Sequence, residues 1–378
     1  MALCPYYKKC SGCQLQNLSY DRQLQYKQVK AIKLLGKYCH IDEIIGMENP
    51  LHYRNKVQSA FGYRKGQIIH GIYQSVNGNI VSVDDCIIED EIAREIINYV
   101  SKLLLSFKMK PYNETTGNGF VRHVLVKRGF ASGQIMIVIV TRSGEFKSVR
   151  SFTNAVLKKY PNVKTIVQNI NDNDIKLSLG TQNNVLYGNG YICEKLCGLT
   201  FRISPNAFYQ VNPVQTVKLY NKAMEYANLD GTQFVIDAYC GTGTIGMIAS
   251  KNAKSVIGVE LNANAVEDAK ANAKLNDIGN IDFVCEDSGN FMVNLANNNK
   301  KIDLVITDPP RIGCSRDFLK SLVKLSPKRV VYVSCNPNTL ARDLNFLRHN
   351  GYKATAITPV DMFPFTEHLE CVCKIDKI

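Results

Sequence analysis

A cysteine and a group of carboxylates near the C-terminus could carry covalent chemistry. Cys335 directly follows the apolar run 330–334, and the segment from Asp361 to Glu370 supplies carboxylates further along the chain. A thiolate is a nucleophile, and a carboxylate can act as a base. At the mouth of a cofactor site, these groups predict covalent catalysis on an electrophilic ring. Taken alone, a cysteine after a strand is more often inert.

A glycine-rich turn and a spaced acid predict a site for a nucleoside-containing cofactor. The run 234–238 leads into Gly241-Thr242-Gly243, and Glu260 ends the next apolar run. Glycines at this point let a ligand approach the backbone, and an acid about 20 residues on can bond both ribose hydroxyls. The spacing alone does not separate NAD from S-adenosylmethionine. The preceding Asp237 and the short Gly-Thr-Gly favour S-adenosylmethionine.

A third motif, Asp308-Pro309-Pro310-Arg311, follows the apolar run 304–307. In parallel α/β sheets, ligands bind beyond the carboxyl ends of the strands. The motif therefore predicts a carboxylate and a rigid turn at the ligand crevice. The alternative is a simple turn that ends a strand.

These motifs need a sheet to bring them together, and the second half of the chain predicts one. Short apolar runs alternate with helical stretches, which is typical of a doubly wound, largely parallel α/β sheet. The runs that predict strands are 234–238, 255–260, 281–284, 304–307, 330–334, 354–358 and 369–375, with helices between them, for example at 263–275 and 340–350.

The first half has a different pattern. Residues 21–38 and 151–160 predict helices, and the β-branched runs 121–126 and 135–141 predict strands. A mixed α+β domain is therefore expected before the doubly wound domain. The boundary is expected near residues 204–213.

The net charge of +13 is unevenly distributed along the 378 residues. Residues 1–200 hold 26 basic and 15 acidic side chains, a net +11, whereas residues 201–378 hold 20 and 18, a net +2. A basic half predicts a polyanionic partner such as nucleic acid, the alternative being a solvated basic surface. No apolar run reaches the roughly 20 residues of a membrane span. The N-terminus does not resemble a signal peptide, so a cytoplasmic protein is expected.

Three cysteines near the N-terminus, Cys4, Cys10 and Cys13, have the spacing C-x5-C-x2-C, and Cys86 is a further candidate ligand. Disulfides are unexpected in a cytosolic protein. Four thiolates can bind an iron–sulfur cluster or a structural zinc. The spacing leaves both open, together with the absence of any metal.

Six motifs in order resemble the catalytic domain of the RNA (uracil-5-)-methyltransferases, which use S-adenosylmethionine. The resemblance implies that Cys335 is the nucleophile and Glu370 the base. It also implies that Gln210, Tyr239, Glu260 and Asp308 bind the methyl donor or line the adjoining site. The motifs are Phe208–Asn212, the Asp237–Gly243 loop, Glu260, Asp308–Arg311, Ser334–Pro337 and the Asp361–Glu370 segment.

The cysteine spacing is similar to that of the family's ribosomal-RNA members, which carry a 4Fe–4S cluster. The resemblance implies that Cys4, Cys10, Cys13 and Cys86 hold such a cluster, although Ser11 replaces a glycine of the pattern. It implies three parts: an iron–sulfur segment (1–90) packed on the central domain, a central RNA-binding domain (53–205) and a Rossmann-like class I methyltransferase domain (206–378). The small RNA-binding barrel (TRAM domain) that precedes the cysteines in many members is expected to be absent.

The resemblance thus predicts a monomeric 23S ribosomal-RNA uracil-5 methyltransferase that acts on unassembled or partly assembled RNA. Basic and aromatic residues in the segments 52–57 and 119–128 are expected to contact RNA. One alternative is the family's transfer-RNA enzyme. Others are a catalytically silent RNA-binding iron–sulfur protein and a small-molecule methyltransferase.

Overall fold

The second half of the chain forms a doubly wound sheet. The computed structural model describes residues 4–64, 67–74, 79–113, 116–173, 179–298 and 301–378. The strands of this sheet are β10 (Phe234–Ala238), β11 (Ser255–Glu260), β12 (Ile281–Cys285), β13 (Leu304–Thr307), β14 (Arg329–Ser334), β15 (Tyr352–Val360) and β16 (Glu370–Lys377). The helices are α4 (Pro213–Ala227), α5 (Thr244–Ser250), α6 (Ala263–Leu275), α7 (Ser288–Asn297), α8 (Arg316–Leu325) and α9 (Pro337–Arg348).

The strand order in this sheet is β12-β11-β10-β13-β14-β16-β15. The strands from β12 to β14 are parallel, whereas β16 runs antiparallel to both β14 and β15. The predicted doubly wound α/β class is confirmed. The order reverses between β10 and β13, and such a switch point is where a ligand crevice opens.

The predicted strands 234–238, 255–260 and 304–307 have the same bounds in the structure. These strands are buried on both faces, so they appear in the sequence as continuous apolar runs. Helix α9 begins at Pro337 rather than at the predicted residue 340. The Asn336 side chain caps it by accepting from the Asn338 backbone N–H, and proline suits the first helical position.

The first half of the chain forms a second seven-stranded sheet of order β3-β2-β1-β4-β5-β6-β7. Helices α2 (Glu91–Ser106) and α3 (Val149–Lys159) pack on it. The predicted helix 151–160 corresponds to α3 with a shift of two residues at its start. The strands are β1 (Lys56–Arg64), β2 (Gln67–Tyr73), β3 (Ile80–Ser82), β4 (Val121–Arg128), β5 (Ile135–Thr141), β6 (Val163–Ile170) and β7 (Gln182–Gly188).

A two-stranded hairpin connects the two sheets. It consists of β8 (Ile192–Leu196) and β9 (Leu199–Ile203), and its backbone is hydrogen-bonded to α6 through Asn272 and Asn276. Its apolar side chains join a core that includes residues of both sheets. The predicted boundary at 204–213 lies between this hairpin and α4.

Helix α1 (Tyr20–Leu35) and the residues that follow it pack on the second-half sheet, whereas Pro5, Tyr6 and Lys9, which precede it, line a groove with residues of β1, β2 and β3. Helix α1 contacts α9, and Ile41 and Ile45 form isolated bridges with β15. The physical reason is that the buried residues of α1, such as Ala31 and Leu35, belong to the core under β14–β16. From β1 onward, the residues of the predicted segment 1–90 form strands of the central sheet.

Within the described ranges, no helix is both long and apolar enough to cross a membrane.

Candidate active site

The carboxyl ends of β10, β11 and β13 surround a cavity of about 440 Å³. Gln210, Tyr239, Glu260 and Asp308, the four residues predicted to lie at the methyl donor, all line it. The structure therefore brings together side chains that are up to 98 positions apart in the chain.

The glycine turn and Glu260 form one wall of this cavity. The Glu260 carboxylate accepts the backbone N–H of Gly241 at 3.1 Å and that of Asn262 at 2.9 Å. Gly241 and Gly243 have φ angles of +56° and +79°, in the left-handed region that glycine adopts without strain. A carboxylate held by the backbone at the end of β11 is well placed to accept from two ribose hydroxyls.

Asp237 stabilises this turn through a hydrogen bond from the strand that precedes it. It is buried in β10, and its Oδ2 accepts the Gly246 backbone N–H at 2.7 Å. Burial raises its pKa to about 8. A β-carbon on Gly246 would lie 2.7 Å from Oδ2, so the turn and α5 approach β10 closely only because residue 246 is glycine.

Tyrosines also line the cavity. Tyr239 has a φ of +61°, which is unusual for a bulky residue, and its backbone N–H donates to Ser288 Oγ at 3.2 Å. The Tyr220 hydroxyl contacts Thr244 Oγ1 at 3.4 Å and also interacts with the Gln210 side chain. Strained backbone of this kind is found where a side chain must be presented to a ligand.

Cys335 and Glu370 come together because β16 runs back beside β14. The last paired residues of these strands are Ser334 and Cys371, and Cys335 and Glu370 are the next residue on each strand. Cys335 is half-buried, and Glu370 is 4% exposed. Antiparallel pairing thus brings a thiol and a carboxyl from separate motifs to the same end of the sheet.

Three acidic groups interact at this end of the sheet. Burial raises the pKa of Glu370 to about 8, with the Asp308 carboxylate adding to the rise. Burial also raises the pKa of Asp308 to about 7. The pKa of the Cys335 thiol rises to about 11 through burial, Glu370 and Asp308, while Arg311 acts in the opposite direction. Near neutral pH the site therefore holds protons that a reaction can move.

The turn at Cys335 is tied to the Asp-Pro-Pro-Arg turn. The Arg311 carbonyl accepts from Asn336 Nδ2 at 3.0 Å and from Thr339 Oγ1 at 3.3 Å. The exposed Arg311 guanidinium lies 3.4 Å from Nε2 of His368. These contacts fix the turn that carries Cys335 relative to Asp308.

Residues 361–369, here called the base loop, lead directly into Glu370. Lys27 Nζ binds Asp361 Oδ1 at 2.6 Å and the Phe363 carbonyl at 3.0 Å. Phe365, at a φ of +69°, is held at its N–H by the Gln23 side chain and at its carbonyl by the Leu15 N–H. The N-terminal segment therefore holds the loop that carries the carboxylate.

Sequence reasoning missed this anchoring role. Helix α1 was expected from Leu24, Val29, Ile32 and Leu35, yet Val29 and Ile32 are more than half exposed. The buried face of α1 instead includes two polar side chains, Gln23 and Lys27. No signal in a single sequence distinguishes Lys27 from the basic residues around it.

Two of the four N-terminal cysteines share one apolar cluster. Cys13 and Cys86 pack against Tyr53 and Phe365. Burial raises the pKa of Cys13 to about 11, and the Cys10 and Cys4 thiols add to this rise. Within the described ranges, however, no three His, Cys, Asp or Glu side chains are grouped so as to hold a metal ion. The side chains as they stand do not form a cluster site, and the ligand set remains a prediction from the spacing.

The basic segment 119–128 is mostly internal, contrary to the expectation that it contacts phosphates. Arg122, His123 and Lys127 are 4%, 2% and 6% exposed. Lys127 donates to the carbonyls of Ser204 and Ala207 at 3.0 and 2.8 Å. Arg122, which donates to the Asn171 carbonyl, and Lys127 therefore bind the chain's own carbonyl groups. In the segment 52–57, Tyr53 is also buried.

The doubly wound sheet, with a glycine turn and a cavity at its switch point, is the fold of a class I S-adenosylmethionine-dependent methyltransferase. Residues 19–378 match the family described as tRNA (uracil-5-)-methyltransferase, and the chain belongs to this family. The predicted resemblance is thereby confirmed.

Relatives of the chain are also RNA methyltransferases by name. An uncharacterized RNA methyltransferase of Oceanobacillus iheyensis is 43% identical over 372 residues, which cover 97% of this chain and 81% of the relative. One of Staphylococcus aureus is 40% identical, with 98% and 83% covered. The solved structure of Pyrococcus abyssi tRNA (uracil-54, C5)-methyltransferase in complex with S-adenosyl-L-homocysteine is similar at a TM-score of 0.82 and 29% identity, covering 97% of this chain and 86% of that one.

Proposed function

We propose that the protein methylates carbon 5 of a uridine in 23S ribosomal RNA, forming 5-methyluridine, through a covalent bond from Cys335 to carbon 6. The observation that carries the proposal is the meeting of Cys335 and Glu370 at the ends of β14 and β16, next to Asp308 of the cofactor cavity. A thiol and a carboxyl of raised pKa at this point match a reaction that adds a nucleophile and later removes a proton.

S-adenosylmethionine supplies an electrophilic methyl group on a sulfonium. The residues that would hold it are Glu260 at the ribose hydroxyls, Tyr239 along the cofactor, and Gln210 and Asp308 nearer the reacting end. The backbone-held carboxylate and the open space beside Gly241, where a β-carbon would meet no atom within 4 Å, fit such a ligand.

Cys335 starts the reaction. Its thiolate adds to carbon 6 of the uracil ring, and the electron pair of the 5,6 double bond moves to form an enolate. Carbon 5 of the enolate then attacks the methyl group, whose bond to sulfur breaks so that S-adenosylhomocysteine is the leaving group. The positive charge of Arg311, which opposes the rise in the Cys335 pKa, favours the thiolate needed for the first step.

Glu370 completes the reaction. The carboxylate takes the proton from carbon 5, the double bond re-forms, and Cys335 leaves as a thiolate. Burial and Asp308 raise the pKa of Glu370 to about 8, which makes it a stronger base than an exposed glutamate. The target base must leave its stack to reach these groups, as in other enzymes that act on a base.

A pair of substitutions with matched controls tests these roles. Cys335→Ala is expected to abolish methyl transfer and the covalent complex with RNA containing 5-fluorouridine, while Cys285→Ala, at an exposed cysteine, keeps both. Glu370→Gln is expected to leave the methylated adduct attached, while Glu367→Gln, at an exposed position of the base loop, releases product. Methyl transfer by the Cys335 variant would refute the proposed nucleophile.

Transfer RNA is the second candidate substrate. The family description and the Pyrococcus abyssi structure both concern transfer-RNA enzymes, whereas the cysteine spacing favours ribosomal RNA. Mapping 5-methyluridine by mass spectrometry in both RNAs of a deletion strain separates the two. Loss from transfer RNA alone would refute the ribosomal assignment. We expect the enzyme to act in the cytoplasm, as a monomer, on RNA that is not fully assembled into ribosomes.

We also propose that Cys4, Cys10, Cys13 and Cys86 bind a 4Fe–4S cluster. Their spacing supports it, together with the apolar contact that Cys13 and Cys86 share. The methyl transfer needs no electron, so a structural role is expected. Protein purified without oxygen should contain iron and sulfide and absorb visible light. A preparation that contains zinc alone, or no metal, would refute the cluster.

A further inference from the structure

One face of α1 is both apolar and basic, and it is exposed. Tyr26, Val29 and Ile32 are 40%, 63% and 51% exposed, and Arg22 and Lys33 are exposed beside them. We call these five residues the α1 face. The helix docks on the rest of the protein by its opposite side, where Ala31 and Leu35 join the core and Gln23 and Lys27 are also buried. The apolar side chains of the α1 face are therefore left accessible to a partner.

A groove of about 680 Å³ lies along the α1 face. Tyr26 and Lys33 line it together with Asn338, which lies three residues beyond Cys335 in the chain. Lys30 lines the same groove and donates to the backbone carbonyl of Glu367, in the base loop, at 2.9 Å. The residues that line the groove thus belong to, or contact, the two segments that carry the proposed nucleophile and base.

Positive charge is also present beside the base loop. Arg311 lies at the mouth of the site, 3.4 Å from His368. Burial lowers the pKa of His368, and the charges of Arg311, Lys27 and Lys30 lower it further. Arg311 and Lys30 thus supply positive charge near His368, while the Glu367 carboxylate acts in the opposite direction and Lys27 is paired with Asp361.

We propose that the α1 face binds the RNA strand that flanks the target uridine, with phosphates on Arg22 and Lys33 and an unstacked base on Tyr26. The inference rests on the proposed function, since it takes the substrate to be RNA. When the target base enters the cavity, the nucleotides on either side of it must lie at the cavity entrance. The groove along α1 is the basic surface expected to contact them there. Cations beside an exposed aromatic ring are the combination that binds single-stranded nucleic acid.

Charge reversal tests the phosphate contacts. The variant Arg22→Glu/Lys33→Glu is compared with Lys270→Glu/Lys274→Glu, which makes the same change of charge on exposed positions of α6. Helix α6 packs beside β11 and β12, at the end of the sheet opposite to β15 and α1. The probes are unmodified transcripts of bacterial 23S ribosomal RNA and of transfer RNA, so the test does not depend on which RNA is the substrate.

We expect the α1 variant to bind the better of the two transcripts at least about tenfold more weakly, and the control to bind it like the wild type. Two lost phosphate contacts should reduce the slope of log affinity against log salt by about 1.4 on a single strand. Binding of S-adenosylhomocysteine should stay unchanged in both variants, which verifies that the methyltransferase fold is intact.

Substitution of the aromatic side chain tests stacking separately. Tyr26→Ala should weaken binding by about tenfold, and Tyr26→Phe should restore it, because stacking needs the ring and not the hydroxyl. Unchanged RNA binding by the charge and alanine variants would overturn the inference and leave the α1 face as a site for another protein. Wild-type protein that binds RNA through this face but transfers no methyl group would instead refute the proposed function alone.

Discussion

Lys27→Met should destabilise the protein strongly, because Lys27 and Asp361 form an ion pair in which neither side chain is exposed. Removing one member of such a pair leaves a buried charge without its counterion and costs about 3–5 kcal/mol. The Phe363 carbonyl also loses its donor, which adds about 1 kcal/mol. The Tyr20 hydroxyl still donates to Asp361 at 3.0 Å and limits the loss. We therefore expect a fall of about 4 kcal/mol in the free energy of unfolding.

Urea unfolding measures this loss, and a second substitution identifies its cause. Lys27→Met/Asp361→Asn removes both charges and keeps an oxygen that accepts from Tyr20, so it should recover most of the stability. Lys30→Met, one turn away at a half-buried position, should cost less than about 1 kcal/mol. If the double variant is as unstable as the single one, the loss does not come from the unpaired charge and the reasoning is wrong.

The same variants report on catalysis. Because Lys27 anchors the base loop, the double variant should form the covalent adduct on RNA but resolve it more slowly than the wild type. Quenched-flow measurement of both steps checks this, and equal slowing of adduct formation would contradict a specific effect on Glu370.

Three further outcomes follow from the cavity. Gly246→Ala, whose β-carbon would lie 2.7 Å from Asp237, should weaken S-adenosylhomocysteine binding by calorimetry, whereas Gly279→Ala, which meets no atom within 4 Å, should not. The folded-state pKa of Glu370 is raised, so the folded state binds more protons than the unfolded state between pH 4.5 and about 8 and loses stability as the pH rises through that range. Glu370→Gln should make this loss between pH 5 and 8 smaller in urea unfolding, the remainder coming from Asp237 and Asp308, whose pKa values are also raised. The rate at which 5-methyluridine is released should rise with pH through about 8, because Cys335 must lose a proton before it adds to the ring and Glu370 before it removes the carbon-5 proton, and a flat profile would contradict these roles.

The strands of the methyltransferase sheet could be predicted because their signal is local. A parallel strand buried on both faces is a short run of apolar residues, and β10, β11 and β13 have the bounds that such runs predict. The motifs come directly after these strands. The fold class therefore also predicted that the motifs lie together at one edge of the sheet. The start of α9 was missed because its cap at Asn336 lies within a motif that was read for chemistry.

Burial of charged side chains could not be predicted in the same way. Arg122 and Lys127 were expected to face RNA, yet each is held inside by backbone carbonyls from distant segments. The sequence around a basic residue in a strand is the same whether its side chain binds a phosphate or a backbone carbonyl. Only the packing of the central sheet against residues 204–207 decides between them.

The sequence by itself determined the chemistry that the chain carries: a cofactor turn, a spaced acid, a cysteine and a glutamate in fixed order along predictable strands. The tertiary structure decided how the glutamate is held. Lys27 and Asp361 are 334 positions apart, and no local pattern connects them. Whether a charge lies in water or in a core depends on which distant segments pack over it, and that packing also leaves the opposite face of α1 exposed beside the active site.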